Sequence, residues 1–374
     1  MRITIDLRLL GRGARSGIEE YTINLVSPML KRGDHDFNFF YNGFKMAPLP
    51  RELISQAKVI DWGIPNKILE ASFRLFKYPK VTGGDVVFSP HFNLMECGEV
   101  PRVVTFHDLS FVHHPDFFSL KQRFWHRFQN YQAQAAQASK IIAVSEYTKG
   151  DLVNILKIPE NKIQVIYSGI DKRFKVIDKA SPELLEFKNK YKVNYPFALY
   201  LGTIEPRKNI IGLIRAFNLI KANKRYRDLK LVLAGAPGWL HENIIKEAKT
   251  SRFEGDIIFW GAVHHEERVY LYNLASVFVY PSFFEGFGFP PLEAQSSGVA
   301  VVAGDRTSLP EILGDAAMYV NPWKVQEIAD SIISCLDNGA LRERLMKSGL
   351  ENAAKFSWDA AAEKTLRVIG EAKN

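Results

Sequence analysis

Cysteine is almost absent from this chain. Cys97 and Cys335 are the two examples in 374 residues, and they lie far apart. That excludes a disulfide scaffold, makes no zinc-type cluster, and is compatible with a reducing cytoplasm. No run of about 18 apolar residues occurs, so no transmembrane helix is expected. The opening Met1-Arg2-Ile3-Thr4-Ile5-Asp6 reaches charge too early for a secretory leader, and none is expected. Low-complexity tracts and short-period repeats are also missing, which excludes solenoids and collagen-like arrays. His113 and His114 have no partners at zinc-ligand spacing and read as loop, with acceptor contact as the alternative.

What is present fits a globular protein. A length of 374 residues suggests two domains, and 47% hydrophobic residues can fill two cores. Forty-nine Lys and Arg against 41 Asp and Glu leave a formal charge of +8. Such an excess favours phosphates, nucleic acid or an acidic membrane surface, and also fits a merely soluble basic protein. Short apolar runs between turn signals predict parallel strands at 2–7, 37–41, 85–88, 102–106, 140–144 and 163–167. A basic linker, 172–179, precedes a second series at 197–201, 231–234, 257–259, 277–280 and 299–303. Helical patterns alternate with the strands. In the first, Ile18, Tyr21, Leu25 and Met29 form one stripe. The fold class is therefore α/β, with ligands expected outside the carboxyl ends of the strands.

The most informative stretch is 277–298. Strand 277–280 is stopped by Pro281 and Ser282, and Glu285 follows at its end. Gly286-Phe287-Gly288 is a turn with backbone N–H groups to offer a phosphate, aided by the positive end of the next helix. Pro290 and Pro291 suit that helix's first turn, and it carries Glu293. Each carboxylate can accept two hydroxyl hydrogen bonds, as a sugar or ribose diol requires. A solvated helix start would also carry such glutamates.

Glu285 and Glu293, with seven residues between them and Pro281-Ser282 ahead of them, resemble the E-x7-E signature of retaining glycosyltransferases with the GT-B fold, in particular family 4. The resemblance implies that Glu285 holds donor-sugar hydroxyls and Glu293 the nucleotide ribose. It implies that Gly286, Phe287, Gly288 and Phe289 touch sugar and phosphate. It implies two Rossmann-like domains facing a cleft: an acceptor-side domain at 1–171 and a nucleotide-sugar domain at 172–355, with a final helix at 356–374 packing back on the first.

Other stretches join this resemblance. Gly17 matches the last glycine of the loop that faces the donor phosphates, while Arg12 and Arg15 read equally as solvated loop residues. Gly202-Thr203-Ile204-Glu205-Pro206-Arg207-Lys208-Asn209 leaves a strand just before a helix start. Arg207 and Lys208 there suit a diphosphate by charge alone. Lys208 matches the family's phosphate-binding lysine. Thr203 stands where an arginine is usual, so its duty falls to Arg207 or to the Thr203 hydroxyl. Val263 matches a position offering backbone groups to the base. His107-Asp108-Leu109-Ser110-Phe111 is similar to a subset that includes bacterial mannosyltransferases of polysaccharide assembly, and this implies that His107 lies near the reacting sugar. Asp34-His35-Asp36 spells the D-x-D of metal-dependent glycosyltransferases, but it precedes a strand, at the wrong end of the sheet.

Residues 66–80 and 117–128 mix aromatic and basic side chains, which suits a membrane surface, a lipid-linked acceptor, or an ordinary domain surface. The resulting expectation is a cytoplasmic retaining glycosyltransferase, working at the inner face of the membrane or free of it. It moves mannose by preference from a nucleotide sugar, GDP-mannose favoured, to a saccharide or lipid-linked saccharide. Lys208, Glu285 and His107 are its catalytic residues. No cofactor, metal, side-chain nucleophile or nucleic-acid partner is expected. Rival readings are a GT-B nucleotide-sugar epimerase, a sugar phosphorylase (which would need a lysine arrangement for pyridoxal phosphate not seen here), and a basic binding protein without catalysis.

Overall fold

A computed structural model describes residues 1–12, 17–42 and 57–373. Arg15 and the side chain of Arg12 fall outside the described residues. The chain divides into two compact units. One comprises residues 1–109, 120–169 and the segment from Ser357 onward; the other comprises Ser110–Ser119 and Ile170–Phe356.

The first unit is built on a parallel sheet of β1 (Arg2–Asp6), β2 (Asp36–Phe40), β3 (Lys58–Ile60), β4 (Val86–Ser89), β5 (Arg102–Phe106), β6 (Lys140–Ala143) and β7 (Ile163–Val165). Its order is β3-β2-β1-β4-β5-β6-β7. The central strands β4 and β5 are buried along their whole length, as strands covered by helices on both faces must be. Helix Trp358–Lys373 lies in this unit, packed against helix Gly17–Lys31 and reaching β4, β5 and β6. Asp36 opens β2 with its N–H on the Met1 carbonyl, so Asp34-His35-Asp36 stands at the amino end of the sheet.

The second unit holds β8 (Phe197–Leu201), β9 (Lys230–Ala234), β10 (Ile257–Gly261), β11 (Val277–Tyr280), β12 (Val301–Gly304) and β13 (Met318–Val320) in the order β10-β9-β8-β11-β12-β13, again parallel. The order reverses between β8 and β11. Loops leaving the carboxyl ends of those two strands diverge to opposite sides, and the crevice they leave is where ligands bind in open α/β sheets. Two strands escape the sequence reading, β3 and β13. Both are three-residue edge strands, only partly buried, with too short an apolar run to signal.

Ser110–Ser119, expected within the first half, belongs to the second unit. Its aromatic rings explain why. Phe117 stacks on Phe283 at 5.5 Å and Phe118 on Trp239 at 5.6 Å. The Trp239 indole N–H donates to the Phe117 carbonyl at 2.6 Å. The aromatic-basic stretch 117–128 is thus split, its first rings being packed rather than surface groups.

Adjacent strand ends approach closely through glycine. Gly235, after β9, has φ +147°, and a Cβ there would sit 1.9 Å from the Gly202 carbonyl oxygen after β8. Gly235→Ala should cost about 2–4 kcal/mol, combining a strained backbone with overpacking; urea denaturation of the purified variant would measure it.

Candidate active site

The site grows from the β8 and β11 ends. After β8 the chain makes one turn of 3-10 helix, Pro206–Lys208, with Asn209 in the left-handed conformation leading into helix Ile210–Lys221. That turn points Lys208 inward, only 6% exposed. After β11, Ser282 and the turn to Glu285 fold back on the same place, because Phe283 N–H donates to the Arg207 carbonyl and Ser282 Oγ lies 3.1 Å from it. Glu285 is likewise 6% exposed.

The two side chains meet. Lys208 Nζ donates to Glu285 Oε1 at 2.6 Å and to the Tyr280 hydroxyl at 2.7 Å. Ser282 Oγ donates to the same Oε1 at 2.7 Å. Arg207 spans two carboxylates: Nε donates to Glu205 Oε1 at 3.0 Å, and Nη1 lies 3.5 Å from Glu285 Oε2 while donating to the Phe284 carbonyl at 2.9 Å. Tyr200 stacks beside Tyr280 at 5.7 Å and donates to the Thr203 carbonyl at 2.8 Å. Two carboxylates and two cations thus share one buried volume.

Their ionisation follows from that arrangement. Burial pulls the Lys208 ammonium below its ordinary value and Arg207 adds to the pull, against Glu285 and Glu205. Burial pushes Glu285 upward, but Lys208 and Arg207 outweigh it and hold the carboxyl below the ordinary glutamate value. Burial and the Glu285 charge push the Tyr280 phenol well above its usual value, so Tyr280 stays neutral.

The turn Gly286-Phe287-Gly288 is pinned from beneath. Ser308 Oγ lies 3.0 and 3.1 Å from the carbonyls of Glu285 and Phe287, which share its one proton. Glu285 N–H donates to Thr307 Oγ1 at 2.9 Å. Gly288 has φ +106°, where any side chain is strained, and a Cβ would meet Leu309 Cδ2 at 2.7 Å and force that side chain to shift. Gly288 caps helix Phe289–Ser296, with proline in its first turn. On that helix Glu293 is buried and accepts from the Tyr272 hydroxyl at 2.7 Å. Phe287 and Phe289 rings lie 5.0 Å apart. Thr203 is exposed beside the turn after β8, and Val263 is half-buried in the loop after edge strand β10.

His107 and Gly17 belong to the first unit, and the remaining sequence-nominated residues to the second. His107 leaves β5, and its Nε2–H donates to the Pro90 carbonyl at 2.8 Å. The Tyr21 ring stands edge-on at 4.7 Å. Burial lowers the imidazole pKa, with Pro90 and Asp108 pulling the other way. A neutral ring with Nε2–H committed offers Nδ1 as an acceptor. Gly17 opens helix Gly17–Lys31 and is exposed. Sequence reasoning did not nominate Glu205, Tyr280, Ser282, Tyr272, Thr307 or Ser308. Glu205 and Ser282 lie inside the motifs themselves, which was the available signal.

Two Rossmann-like domains with parallel sheets, one holding a buried acid-base cluster at its switch point, define an α/β protein of the GT-B class. Comparison with known proteins then places it more narrowly. A family model described as "Glycosyltransferase Family 4" matches residues 15–174, and one described as "Glycosyl transferases group 1" matches residues 182–352. The O-antigen chain mannosyltransferase B of Escherichia coli is 35% identical over 71% of this chain and 69% of its own length. The serotype-specific mannosyltransferase WbdA of the same species is 34% identical over 62% of this chain, which spans 28% of WbdA. Among solved structures, Anabaena Alr3699/HepE in complex with UDP-glucose superposes with a TM-score of 0.75 at 17% identity, covering 99% of this chain and 100% of that one. The chain belongs to glycosyltransferase family 4 and is a group 1 glycosyltransferase.

Glu285 carries stability that is complete above the ordinary glutamate value and is lost as pH falls through its depressed one. Glu285→Gln strands the Lys208 charge and should cost about 3 kcal/mol at neutral pH. Urea midpoints taken from pH 7 downward should show that deficit constant at first and shrinking once wild-type Glu285 protonates.

Proposed function

We propose that the chain is a retaining mannosyltransferase that takes a nucleotide-diphosphate mannose, GDP-mannose by preference, and passes the sugar to a hydroxyl of a saccharide or lipid-linked saccharide in surface polysaccharide assembly. The buried Lys208–Glu285 pair at the β8/β11 switch point carries this reading. The mannosyltransferase relatives support the choice of sugar. Its place of work is the cytoplasm, at the inner face of the cell membrane.

The C1–O bond to the β-phosphate breaks as the acceptor oxygen bonds C1 from the same face. The acceptor proton passes to the leaving phosphate, so no side-chain nucleophile is required. An ammonium has three protons, and two of those on Lys208 meet Tyr280 and Glu285. The third is available to a phosphate oxygen, where charge grows as the bond breaks. Arg207 and the N–H groups of Gly286 and Gly288 add to that field. Glu285 Oε2 accepts hydroxyls of the sugar, and the neutral Nδ1 of His107 is the acceptor that the family resemblance assigns to a sugar hydroxyl. Glu293 holds the ribose, Val263 the base, Thr203 a phosphate oxygen, and Phe287 and Phe289 wall the sugar.

A thermal-shift series tests the donor. GDP and GDP-mannose at 100 times their Kd should stabilise the protein by about 2.7 kcal/mol, and a response confined to UDP species would overturn the choice of base. Glu293→Ala should weaken nucleotide binding while Glu285→Ala chiefly lowers kcat; NMR of the product should show the α-linkage of the donor retained. Since Lys208 and Arg207 supply the cationic charge, turnover should survive exhaustive chelation. Activity abolished by chelator and restored by a divalent metal would refute that.

A further inference from the structure

The second unit carries a row of aromatic rings outside its buried charge cluster. His114 lies 4.9 Å from Phe117, Phe117 stacks on Phe283 at 5.5 Å, and Phe283 meets Trp323 at 4.2 Å. The row ends in the open, because Trp323 is 63% exposed. A single exposed aromatic residue is ordinary, but this one sits on a braced turn. The Trp323 N–H donates to Asn321 Oδ1 at 3.0 Å, and the Asn321 N–H to Glu327 Oε1 at 3.0 Å. The buried Asn209 amide donates to the Pro322 carbonyl at 2.6 Å. An indole with its backbone fixed and one neighbouring ring already stacked needs little further ordering to bind.

What lies beside the ring selects among ligands. An open groove of about 680 Å³ starts at Lys324 and is lined also by Gln326, Glu327 and Asp330. Cation, carboxylate and amide are mixed there, and no one sign of charge is gathered. An anionic lipid surface or a nucleic acid would be met by carboxylates. A neutral chain rich in hydroxyls would find both donors and acceptors. Sugar rings offer C–H groups on a face, which suit the negative face of an indole, and hydroxyls at their edges, which suit the groove.

We propose that Trp323 and the groove from Lys324 form a second saccharide subsite on this unit, gripping sugars already built into the acceptor chain. The proposal rests on the reading of the protein as a glycosyltransferase acting on saccharides. Backbone joins the subsite to the donor machinery: Asn209 follows Lys208, and the Phe283 N–H donates to the Arg207 carbonyl at 2.9 Å. The Trp323 ring is exposed where Lys208 and Glu285 are buried. It therefore holds sugars other than the one that reacts, and its contribution grows with acceptor length.

The test is isothermal titration calorimetry of the full chain with an α-linked mannotetraose and no donor. Trp323→Ala should lower the affinity roughly tenfold, and Trp323→Tyr should keep most of it. In transfer assays with GDP-mannose, Trp323→Ala should raise the KM for the mannotetraose while kcat, and the KM for a methyl mannoside, stay as in wild type. An unchanged urea midpoint would show the variant folded. Failure of the wild type to bind the mannotetraose, equal affinity in wild type and Trp323→Ala, or an equal rise in KM for both acceptors would each overturn the subsite. Binding that depends on Trp323 without any transfer from GDP-mannose would uphold the subsite and refute the donor.

Discussion

The second domain depends on one contact, the ion pair between Lys208 and Glu285. Neither group would be tolerated alone at that depth, because taking an ammonium or a carboxylate out of water costs several kcal/mol. Each is admissible because the other is there, and because Tyr280 and Ser282 add a hydrogen bond to each. The pair also ties the loop after β8 to the loop after β11, which the sheet order would otherwise let diverge. Arg207 repeats the device one residue earlier, joining Glu205 to the same carboxylate. The quartet is neutral as a whole. A substrate diphosphate in the proposed pose would therefore gain little from net charge and much from fixed direction: one ammonium proton and a helix start already oriented, with no reorganisation at the moment of reaction.

Hydroxyls hold this arrangement in register. Ser308 and Thr307 fasten the glycine turn, Tyr272 orients Glu293, and Ser282 orients Glu285. Each acts on a group that has to point one way, and the four come from three places: the loop after β12, helix Arg268–Leu274 and the end of β11. Precision at the site is thus a property of the whole carboxyl edge of the sheet.

The interior of the fold was legible in the sequence for a physical reason. Strands such as β4, β5 and β8 are covered on both faces, so they read as unbroken apolar runs between turns. Edge strands β3 and β13 were not, being three residues long and half exposed. Glu285, Glu293 and Lys208 were legible through spacing and wording. Tyr280 reads in the sequence as an ordinary strand residue, because a phenol at a strand end becomes an acceptor for Lys208 only once β8 lies alongside. Ser110–Ser119 shows the same limit: its rings announce burial, but their neighbours Trp239 and Phe283 are more than a hundred residues distant.

Helix Trp358–Lys373 covers β4, β5 and β6 and packs on Gly17–Lys31, so the first unit is closed by a segment translated only after the second. During synthesis one flank of its sheet stays uncovered while the whole of Ile170–Phe356 emerges and can collapse on its own strands. The domain with the buried charge quartet can mature first, and the other must wait, its apolar surface a natural client for chaperones until helix Trp358–Lys373 arrives.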